Sequence, residues 1–510
     1  MNKKTSVLAL LCTALMLLSG IPPAWAANDD ATALYRQHCA LCHGIDRLGG
    51  IGPALLPDNL ERLKKTAAAD TVRDGRPATQ MAGFAATLTP AQIATLVELI
   101  YQPSPTPPAW GKAEIIASRI EHAPVQSLPA HPKFDADPMN LFIVVESGDH
   151  AVSILDGDTF MPIHRFPSRY ALHGGPKFSP DGRFVYFASR DGWISKFDIW
   201  NLTLVAEIRA GINARNVAVS ADGRFVAVAN YLPHTVVLLD DDLRLIDVLA
   251  AADASGNTSR VSAIYDAAPR KSFVAALKDV REAWEIAYDR AAADFLKPRR
   301  IPLDDVLDDF FFSQDYRLLF GASRGGQDGR ATGQVIDLDT GRKIASLDLP
   351  GMPHLGSGIT WARQGGTVMA TPNFNKNLIS VIDMHDWKTV RDIPTPGPGF
   401  FLRSHENSRY AWADSMMSRD GKDTLLVIDK ESLEPVARLR PAPGKTLAHV
   451  EFTRNGRYVL ASLWERRADG GAIIVFDADT LQEIERIPMD KPVGKYNVYN
   501  KLTRSEGTSH

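Results

Sequence analysis

From about residue 138 onward, short apolar stretches alternate with polar turns in a repeating pattern. The recurring unit is an apolar strand, a turn and a second strand, as in Phe-Ser-Pro-Asp-Gly-Arg-Phe-Val at 178–185. Related units begin at Val219, Phe312, Ser404 and Phe452. Asp-Gly and Asn-Gly favour tight hairpins because both turn residues tolerate positive φ. The pattern therefore predicts a series of antiparallel hairpins.

A second unit follows each hairpin, namely an apolar strand that ends in Asp before another turn. These residues are Asp156, Asp198, Asp240, Asp337, Asp383, Asp429 and Asp477, spaced by about 40 to 50 residues with one longer interval. Strand-like segments within residues 261–301 fill that interval. Four-stranded blades at this period predict an all-β, eight-bladed β-propeller over residues 138–510. Seven blades with one irregular insertion are the alternative.

Residues 27–105 carry helical patterns instead. Thr89 is a favourable N-cap, followed by Pro90 at the first helical position and Gln92 two residues later. These signals predict a helix over residues 90–101 that closes a small all-α domain.

A Pro-rich stretch at 103–110, Pro-Ser-Pro-Thr-Pro-Pro-Ala-Trp, marks the boundary between the two patterns. Pro-rich segments are stiff and extended, so residues 106–137 are predicted to be a linker.

The first 26 residues have the composition of a secretory signal. Lys3 and Lys4 precede an apolar run at 6–18, and Ala-Trp-Ala at 24–26 is a small-residue cleavage site. We expect cleavage after Ala26 and export, to the periplasm if the source is Gram-negative; an uncleaved anchor is the alternative. No later segment is long and apolar enough to cross a bilayer.

Charge and cysteine usage narrow the function. The chain has 57 basic and 60 acidic residues, without the basic excess of nucleic-acid-binding proteins. Of its three cysteines, Cys12 lies in the signal, which leaves Cys39 and Cys42. Two cysteines this close do not make a disulfide scaffold.

Cys39 and Cys42 belong to Cys-Ala-Leu-Cys-His at 39–43, the attachment motif of c-type heme. Two thiols three residues apart on one helical turn reach both vinyl groups of a porphyrin, and His43 then faces the iron. A redox-active Cys-x-x-Cys pair is the alternative. Between residues 27 and 110 there is one Met, Met81, and besides His43 only His38, which lies too near the motif to loop over the heme. Class I cytochromes place their axial Met just before the last helix, so Met81 is the predicted sixth ligand; an open sixth site is the alternative.

Polar side chains fall where the innermost strand of each blade begins, at one mouth of the propeller channel. They are His173, Arg215, Asp308 and Asp309, His354, Arg403 and His449. Imidazoles, guanidiniums and carboxylates are expensive to bring together without a ligand, so the set predicts a polar ligand site. Each residue taken alone is equally compatible with an exposed loop.

The chain resembles the heme c and heme d1 nitrite reductases over nearly its whole length after residue 26. The resemblance is carried by residues 190–200, 205–215 and 492–500 and by Pro353 with His354. It implies that His173 is the proximal ligand of heme d1 and His354 a distal histidine. It also implies that Arg190 and Arg215 lie near the heme d1 carboxylates and that Trp464 packs on the macrocycle.

Two departures point to a paralogous group. The nitrite reductases carry a first distal histidine where this chain has Leu-Asp-Asp-Phe-Phe at 307–311, and an Arg near the macrocycle where it has Glu146. The chain is more similar to the dihydro-heme d1 dehydrogenases, which convert a propionate side chain of the precursor to an acrylate. That resemblance implies that heme c takes the electrons and a base takes a proton. His354 is the preferred base; Asp308, His449 and Tyr496 are further candidates.

Three other functions stay open at this point. They are nitrite reduction, non-catalytic carriage of heme d1, and a propeller scaffold with an unrelated electron-transfer partner. The expected partners are a tetrapyrrole substrate, a soluble electron acceptor, other proteins of heme d1 synthesis and the nitrite reductase.

Overall fold

The structure is a computed structural model that describes residues 24–50, 52–61, 63–75, 81–105, 108–323 and 331–503. The predicted signal lies outside these ranges except for its last three residues. The chain divides into two compact units, one within residues 1–105 and one made mainly of the residues from 106 onward. Within the described ranges, no helix combines the length and apolar character needed to cross a bilayer.

The N-terminal unit is helical. Its helices are α1 (Ala24–His38), α2 (Ala40–His43), α3 (Pro57–Leu60), α4 (Lys65–Asp74) and α5 (Pro90–Ile100). Helix α5 begins as predicted: the Gln92 amide donates to Thr89 Oγ1 at 3.3 Å, and the Thr89 amide donates to Gln92 Oε1 at 2.9 Å. This capping box satisfies two amides that a helix start leaves without partners.

Helices α1, α4 and α5 enclose a small apolar core that includes Leu34, Leu60, Ala68 and Leu96. Arg47, in the loop after α2, donates from Nη1 to the carbonyl oxygens of residues 99 and 102, at 2.7 and 3.0 Å. Carbonyls at a helix C-terminus lack helical partners, so the buried Arg47 fastens that loop to the end of α5.

The second unit contains eight antiparallel sheets, each built on four strands, which confirms the eight-bladed propeller and shows the seven-bladed alternative to be wrong. From the inside outward, the first four blades are β33 (Pro492–Asn497), β2 (Leu141–Glu146), β3 (Ala151–Asp156) and β4 (Pro162–Pro167); β5 (Leu172–Phe178), β6 (Phe184–Ser189), β7 (Trp193–Asp198) and β8 (Thr203–Arg209); β9 (Asn213–Val219), β10 (Phe225–Leu232), β11 (Thr235–Asp240) and β12 (Leu245–Ala250); β13 (Val261–Ala267), β14 (Ser272–Leu277), β15 (Glu282–Ala287) and β16 (Pro298–Pro302). The other four are β17 (Asp309–Phe312), β18 (Leu318–Ala322), β19 (Ala331–Asp337) and β20 (Arg342–Leu349); β21 (Ile359–Arg363), β22 (Gly366–Pro372), β23 (Leu378–Asp383) and β24 (Thr389–Pro394); β25 (Leu402–Arg403), β26 (Tyr410–Ala413), β27 (Leu425–Asp429) and β28 (Pro435–Leu439); β29 (Leu447–Phe452), β30 (Tyr458–Leu463), β31 (Ala472–Asp477) and β32 (Glu483–Pro488).

The repeated Arg and Asp of the sequence pattern meet within a blade. Arg183, in the turn after the innermost strand, reaches Asp198 Oδ2 at 2.8 Å, at the end of the third strand. The other oxygen of Asp198 accepts the amide of Asn201 at 3.1 Å and so shapes the next turn. The same ion pair recurs as Arg317–Asp337 and Arg409–Asp429. These aspartates therefore connect strands and turns within their own blade rather than bind a ligand.

The ring is closed by β33, the last strand among the described residues, which pairs with β2 from the start of the propeller. Its register aligns Phe142 with Asn497 and Ile143 with Tyr496. Helix α7 (Val498–Thr503) follows, and Val498 is fully buried in the core of this region.

The segment predicted as a linker, 106–137, differs from that prediction. It contains helix α6 (Lys112–Ala117) and strand β1 (Ile120–Glu121), which adds a fifth strand to the second blade by pairing with β8. Ile115 is fully buried, and Trp110 Nε1 donates to the carbonyl of Arg209 at 2.8 Å. Much of the segment is therefore an outer layer of the propeller.

Candidate active site

The Cys-x-x-Cys-His motif forms one helical turn. The amide of His43 donates to the carbonyl of Cys39 at 2.9 Å, and the amide of Cys42 donates to the same oxygen at 3.2 Å. Both cysteines are free thiols and half-buried. Burial, with a smaller contribution from Cys42, raises the pKa of the Cys39 thiol to about 11. Two thiols on one helix face beside a buried histidine fit covalent attachment of heme c.

Met81 lies half-buried in the loop before α5. Its backbone packs on the end of α4 at Gly75, where a Cβ would stand 2.6 Å from the Met81 carbonyl oxygen. Gly75 also has φ of +74°, which favours glycine. This contact holds the Met81 loop in place; ligation of iron by Met81 stays a prediction.

A cavity of about 410 Å³ opens in the propeller at the starts of the inner strands. Seven of the residues singled out from the sequence line it: His173, Arg215, Asp309, His354, Arg403, Trp464 and Tyr496. A volume of several hundred Å³ with a few polar groups in an apolar wall is typical of a cofactor site.

His173, at the start of β5, is oriented by Arg215 on β9. Its Nδ1 lies 2.8 Å from the carbonyl oxygen of Arg215. The guanidinium of the same residue contacts both ring nitrogens, with Nη1 at 2.8 Å from Nδ1. An Nδ1–H that donates to the Arg215 carbonyl leaves the lone pair on Nε2. Metal-bound histidines commonly donate their other N–H to a carbonyl in this way. Ligation of iron by His173 stays a prediction.

His354 immediately precedes the short turn before β21, and a backbone carbonyl orients its ring as well. Its Nδ1 lies 2.7 Å from the carbonyl oxygen of Phe400, so Nδ1 donates, and in the neutral ring Nε2 carries the lone pair. The ring is buried and packs between Phe374 and Phe400, with centroid distances of 4.6 and 4.2 Å. A desolvated, unprotonated imidazole nitrogen on a cavity wall suits a general base.

Of the two neighbouring aspartates, the structure brings Asp309 and not Asp308 to this imidazole. Asp309 lines the cavity, with Oδ2 at 3.9 Å from His354 Nε2. Tyr265 donates to its other oxygen at 2.9 Å. Asp309 lies against the backbone of Gly356, where a Cβ would be only 2.0 Å from Oδ2. Asp308 is outside the cavity lining and forms an ion pair with Lys278.

Tyr496 and His449 pack one behind the other at one wall of the cavity, with Tyr496 facing the cavity. Tyr496 lines the cavity, and burial raises the pKa of its hydroxyl to about 12. His449 lies behind it, fully buried, with ring centroids 4.9 Å apart. Burial, then the nearby Lys495, Arg403 and Lys501, lower the pKa of His449 well below its ordinary value. His449 does not line the cavity, so as a base it would need another residue to reach the substrate.

Among the remaining predicted residues, Trp464 lines the cavity and donates from Nε1 to Ser147 Oγ at 3.0 Å. Arg190 is not part of the lining. Glu146 is buried and turned to the outer strands, accepting from Ser153 Oγ at 2.6 Å and Arg165 Nε at 3.0 Å.

The cavity also has an apolar wall, formed by the loops of blade seven, that the sequence analysis did not predict. It consists of Phe400, Phe401, Met416 and Met417. The buried Asp414 organises it by accepting the amides of Phe400 at 2.8 Å and His449 at 3.0 Å. The Phe-Phe and Met-Met pairs were a signal, because apolar pairs in connecting loops need something to pack on.

The comparisons with known proteins cover both units. Residues 136–501 match the family described as cytochrome D1 heme domain, and residues 26–100 match cytochrome C oxidase, cbb3-type, subunit III. The chain is 57% identical to a dihydro-heme d1 dehydrogenase of Pseudomonas aeruginosa, over 98% of this chain and 100% of the relative. It is 26% identical to a nitrite reductase of Stutzerimonas stutzeri, over 98% of this chain and 99% of the reductase. A solved structure described as dihydro-heme d1 dehydrogenase NirN in complex with DHE superposes with a TM-score of 0.89 at 57% identity, covering 93% of this chain and 100% of that one.

Proposed function

This chain belongs to the dihydro-heme d1 dehydrogenase branch of the cytochrome d1 heme domain family, and on that premise we propose that it oxidises dihydro-heme d1. The reaction converts the CH2–CH2 unit of one propionate side chain to the CH=CH unit of an acrylate. Two electrons and two protons leave the substrate, and two one-electron oxidants are reduced.

The observation that carries the proposal is the state of His354. Its Nδ1–H is committed to the Phe400 carbonyl, so Nε2 of the neutral ring has its lone pair at the cavity wall and can accept a side-chain proton. In the proposed complex, His173 binds the substrate iron and Arg215 moves from the imidazole to a substrate carboxylate. A guanidinium pairs with a carboxylate through two parallel hydrogen bonds, so little affinity is lost in that exchange.

Cys39, Cys42 and His43 would hold heme c, with Met81 as the second axial ligand. Heme c supplies one-electron acceptance, and a thioether ligand raises its reduction potential. We also propose a periplasmic location, supported by the signal-like residues 1–26 and by the heme c motif. Transient contacts with a soluble electron acceptor, with other proteins of heme d1 synthesis and with the nitrite reductase belong to the same proposal.

The test mixes the purified holoprotein with dihydro-heme d1 and an oxidised acceptor. The product should show the heme d1 visible spectrum and a mass lower by two hydrogens. His354→Ala should slow conversion by about 100-fold or more while still binding the substrate, because positioned general bases contribute on that scale. His385→Ala, which alters an exposed turn histidine, is the matched control.

The outcomes separate the competing functions. Binding without conversion by the wild-type protein would indicate a carrier. Conversion at the wild-type rate by His354→Ala would refute the assigned base. Steady nitrite turnover would favour a reductase; we expect little, because Asp308 and Asp309 replace the first distal histidine of that family.

A further inference from the structure

Arg403, on β25, is a buried cation without an ion-pair partner among the described residues. It is only 2% exposed, yet it lines the active-site cavity. Its Nη1 donates to the carbonyl of Leu402 at 2.8 Å, and its Nε has no hydrogen-bond partner in the part of the chain that the structure describes. No carboxylate of that part lies within ion-pair distance of the guanidinium. Buried charges are nearly always paired, so this arrangement indicates a site for an anion.

The acids around Arg403 are turned to other partners. Asp414 accepts two backbone amides, at 2.8 and 3.0 Å, and Glu451 accepts the side-chain amide of Asn500 at 3.3 Å. Burial lowers the pKa of the Arg403 guanidinium, and the charges of Glu451 and Asp414 oppose this effect without cancelling it. A carboxylate that enters the cavity would therefore offset the cost of burying the Arg403 charge.

Arg215, which also lines the cavity, differs in this respect. It donates from Nε to the carbonyl of Ser262 at 3.1 Å, and its guanidinium contacts the ring of His173. Arg215 lies on the third blade and Arg403 on the seventh, so the two residues belong to opposite sides of the eight-bladed ring. One carboxylate cannot pair with both guanidiniums, and Arg403 therefore marks a separate subsite.

The Arg403 subsite lies beside Tyr496, another residue of the cavity wall. Strand β29 packs against both β25 and β33, the strands that carry Arg403 and Tyr496. Burial raises the pKa of the Tyr496 hydroxyl to about 12, and Arg403 opposes that rise, as a nearby cation should. A substrate side chain held by Arg403 would thus have its carbon atoms next to an acid–base group of the wall.

We propose that Arg403 binds the carboxylate of the propionate that is dehydrogenated. The subsite rests on the proposed dehydrogenase function. A guanidinium pairs with a carboxylate through two parallel hydrogen bonds, which fixes the adjoining CH2–CH2 unit together with the charged group. When a proton leaves the carbon next to the carboxylate, negative charge spreads into that carboxylate, and Arg403 stabilises it. The two electrons and the second proton leave the side chain as in the overall reaction.

The test uses Arg403→Met, which removes the charge and keeps a long side chain. Dihydro-heme d1 should bind about tenfold more weakly in a visible titration, because hydrogen bonds to a charged group are lost. In the conversion assay kcat should fall by about 100-fold, because a side chain that is no longer held is misplaced for reaction. Urea unfolding of the substrate-free protein should show no loss of stability, because the substitution removes a buried cation that has no ion-pair partner.

Arg403→Ala adds a rescue experiment. Added methylguanidinium should restore part of kcat, because it fits the space that the side chain leaves and pairs with the same carboxylate. The matched controls are Arg438→Met and Arg438→Ala, at an exposed position on the outermost strand of the same blade. Both controls should match the wild-type protein in every measurement and gain nothing from methylguanidinium.

Unchanged binding and kcat in Arg403→Met would overturn the subsite. A marked loss of stability in that variant, or no rescue of Arg403→Ala, would overturn it as well, since the guanidinium would then serve the fold of the wall. Weaker binding with wild-type kcat would overturn the assignment to the reacting side chain. If the wild-type protein bound dihydro-heme d1 without converting it, the proposed function would fail, whereas weaker binding by Arg403→Met would still establish a carboxylate subsite.

Discussion

Replacing His449 by Asn should remove part of the acid sensitivity of the propeller. His449 is fully buried, its Nδ1 lies 3.5 Å from Lys495 Nζ, and its Nε2 has no hydrogen-bond partner among the described residues. Burial and the three nearby cations lower its pKa well below 6.5. The folded protein therefore keeps this ring neutral at pH values where the unfolded chain binds a proton. Asn is the suitable replacement, because His449 has φ of +46° and Asn tolerates that conformation.

The magnitude follows from proton linkage. Stability falls with decreasing pH wherever the unfolded state binds more protons, by about 1.4 kcal/mol per pH unit for one group. The effect begins near the ordinary histidine pKa of 6.5 and continues down to the lowered pKa of the folded state. Between pH 7 and pH 5, His449 should cost up to about 2 kcal/mol of the free energy of unfolding.

The assay is urea unfolding of both proteins at several pH values, followed by tryptophan fluorescence. The His449→Asn variant need not be more stable than the wild-type protein, because the substitution leaves a gap beside Tyr496; the difference in pH slope is the observable. A slope between pH 7 and pH 5 that is the same in wild-type protein and His449→Asn would refute the reasoning. His385→Asn, at an exposed turn, should leave the slope unchanged.

Three further predictions concern both units. Cys39→Ser with Cys42→Ser should abolish covalent heme, seen as loss of heme staining after denaturing electrophoresis, because no thiol remains for the thioether bonds. Trp464→Ala should weaken dihydro-heme d1 binding by about tenfold in a visible titration, whereas Trp464→Phe should lose less, because an aromatic ring still packs on the macrocycle. Asp414→Asn should lower the free energy of unfolding by about 2 kcal/mol in urea unfolding. The two backbone N–H groups donate to different oxygens of Asp414, and the NH2 group of Asn cannot replace the second oxygen as an acceptor.

The parts of the molecule that were predictable from sequence are those encoded locally. The capping box at Thr89 and the eight repeats depend on short-range patterns, and both appear in the structure. The Cys-x-x-Cys-His turn is another such pattern. The active-site cavity was partly predictable, because a propeller gathers the starts of its inner strands and so brings His173 and His354 to one place.

The rest depended on register and tertiary packing. Successive residues of a strand point to opposite faces, so a one-residue uncertainty in the start of β17 decides between Asp308 and Asp309. Helix α6 was hidden because it is short and follows a Pro-rich stretch, and it is stabilised by tertiary packing of Ile115 in the core shared by the second and third blades. The apolar wall of blade seven comes from loops, whose conformation no repeat specifies.

Closure of the ring by β33 makes the end of the chain part of the active site. Val493, Gly494 and Tyr496 of this strand line the cavity. The strand itself pairs with β2, which begins more than 300 residues earlier in the chain, at Leu141. Blades two to eight are encoded before β33, yet a chain ending before this strand lacks three residues that line the pocket. A protein clipped before β33 would thus keep the residues of seven blades and still lack part of the wall that encloses the tetrapyrrole. Ligand capture therefore requires a chain that extends through β33.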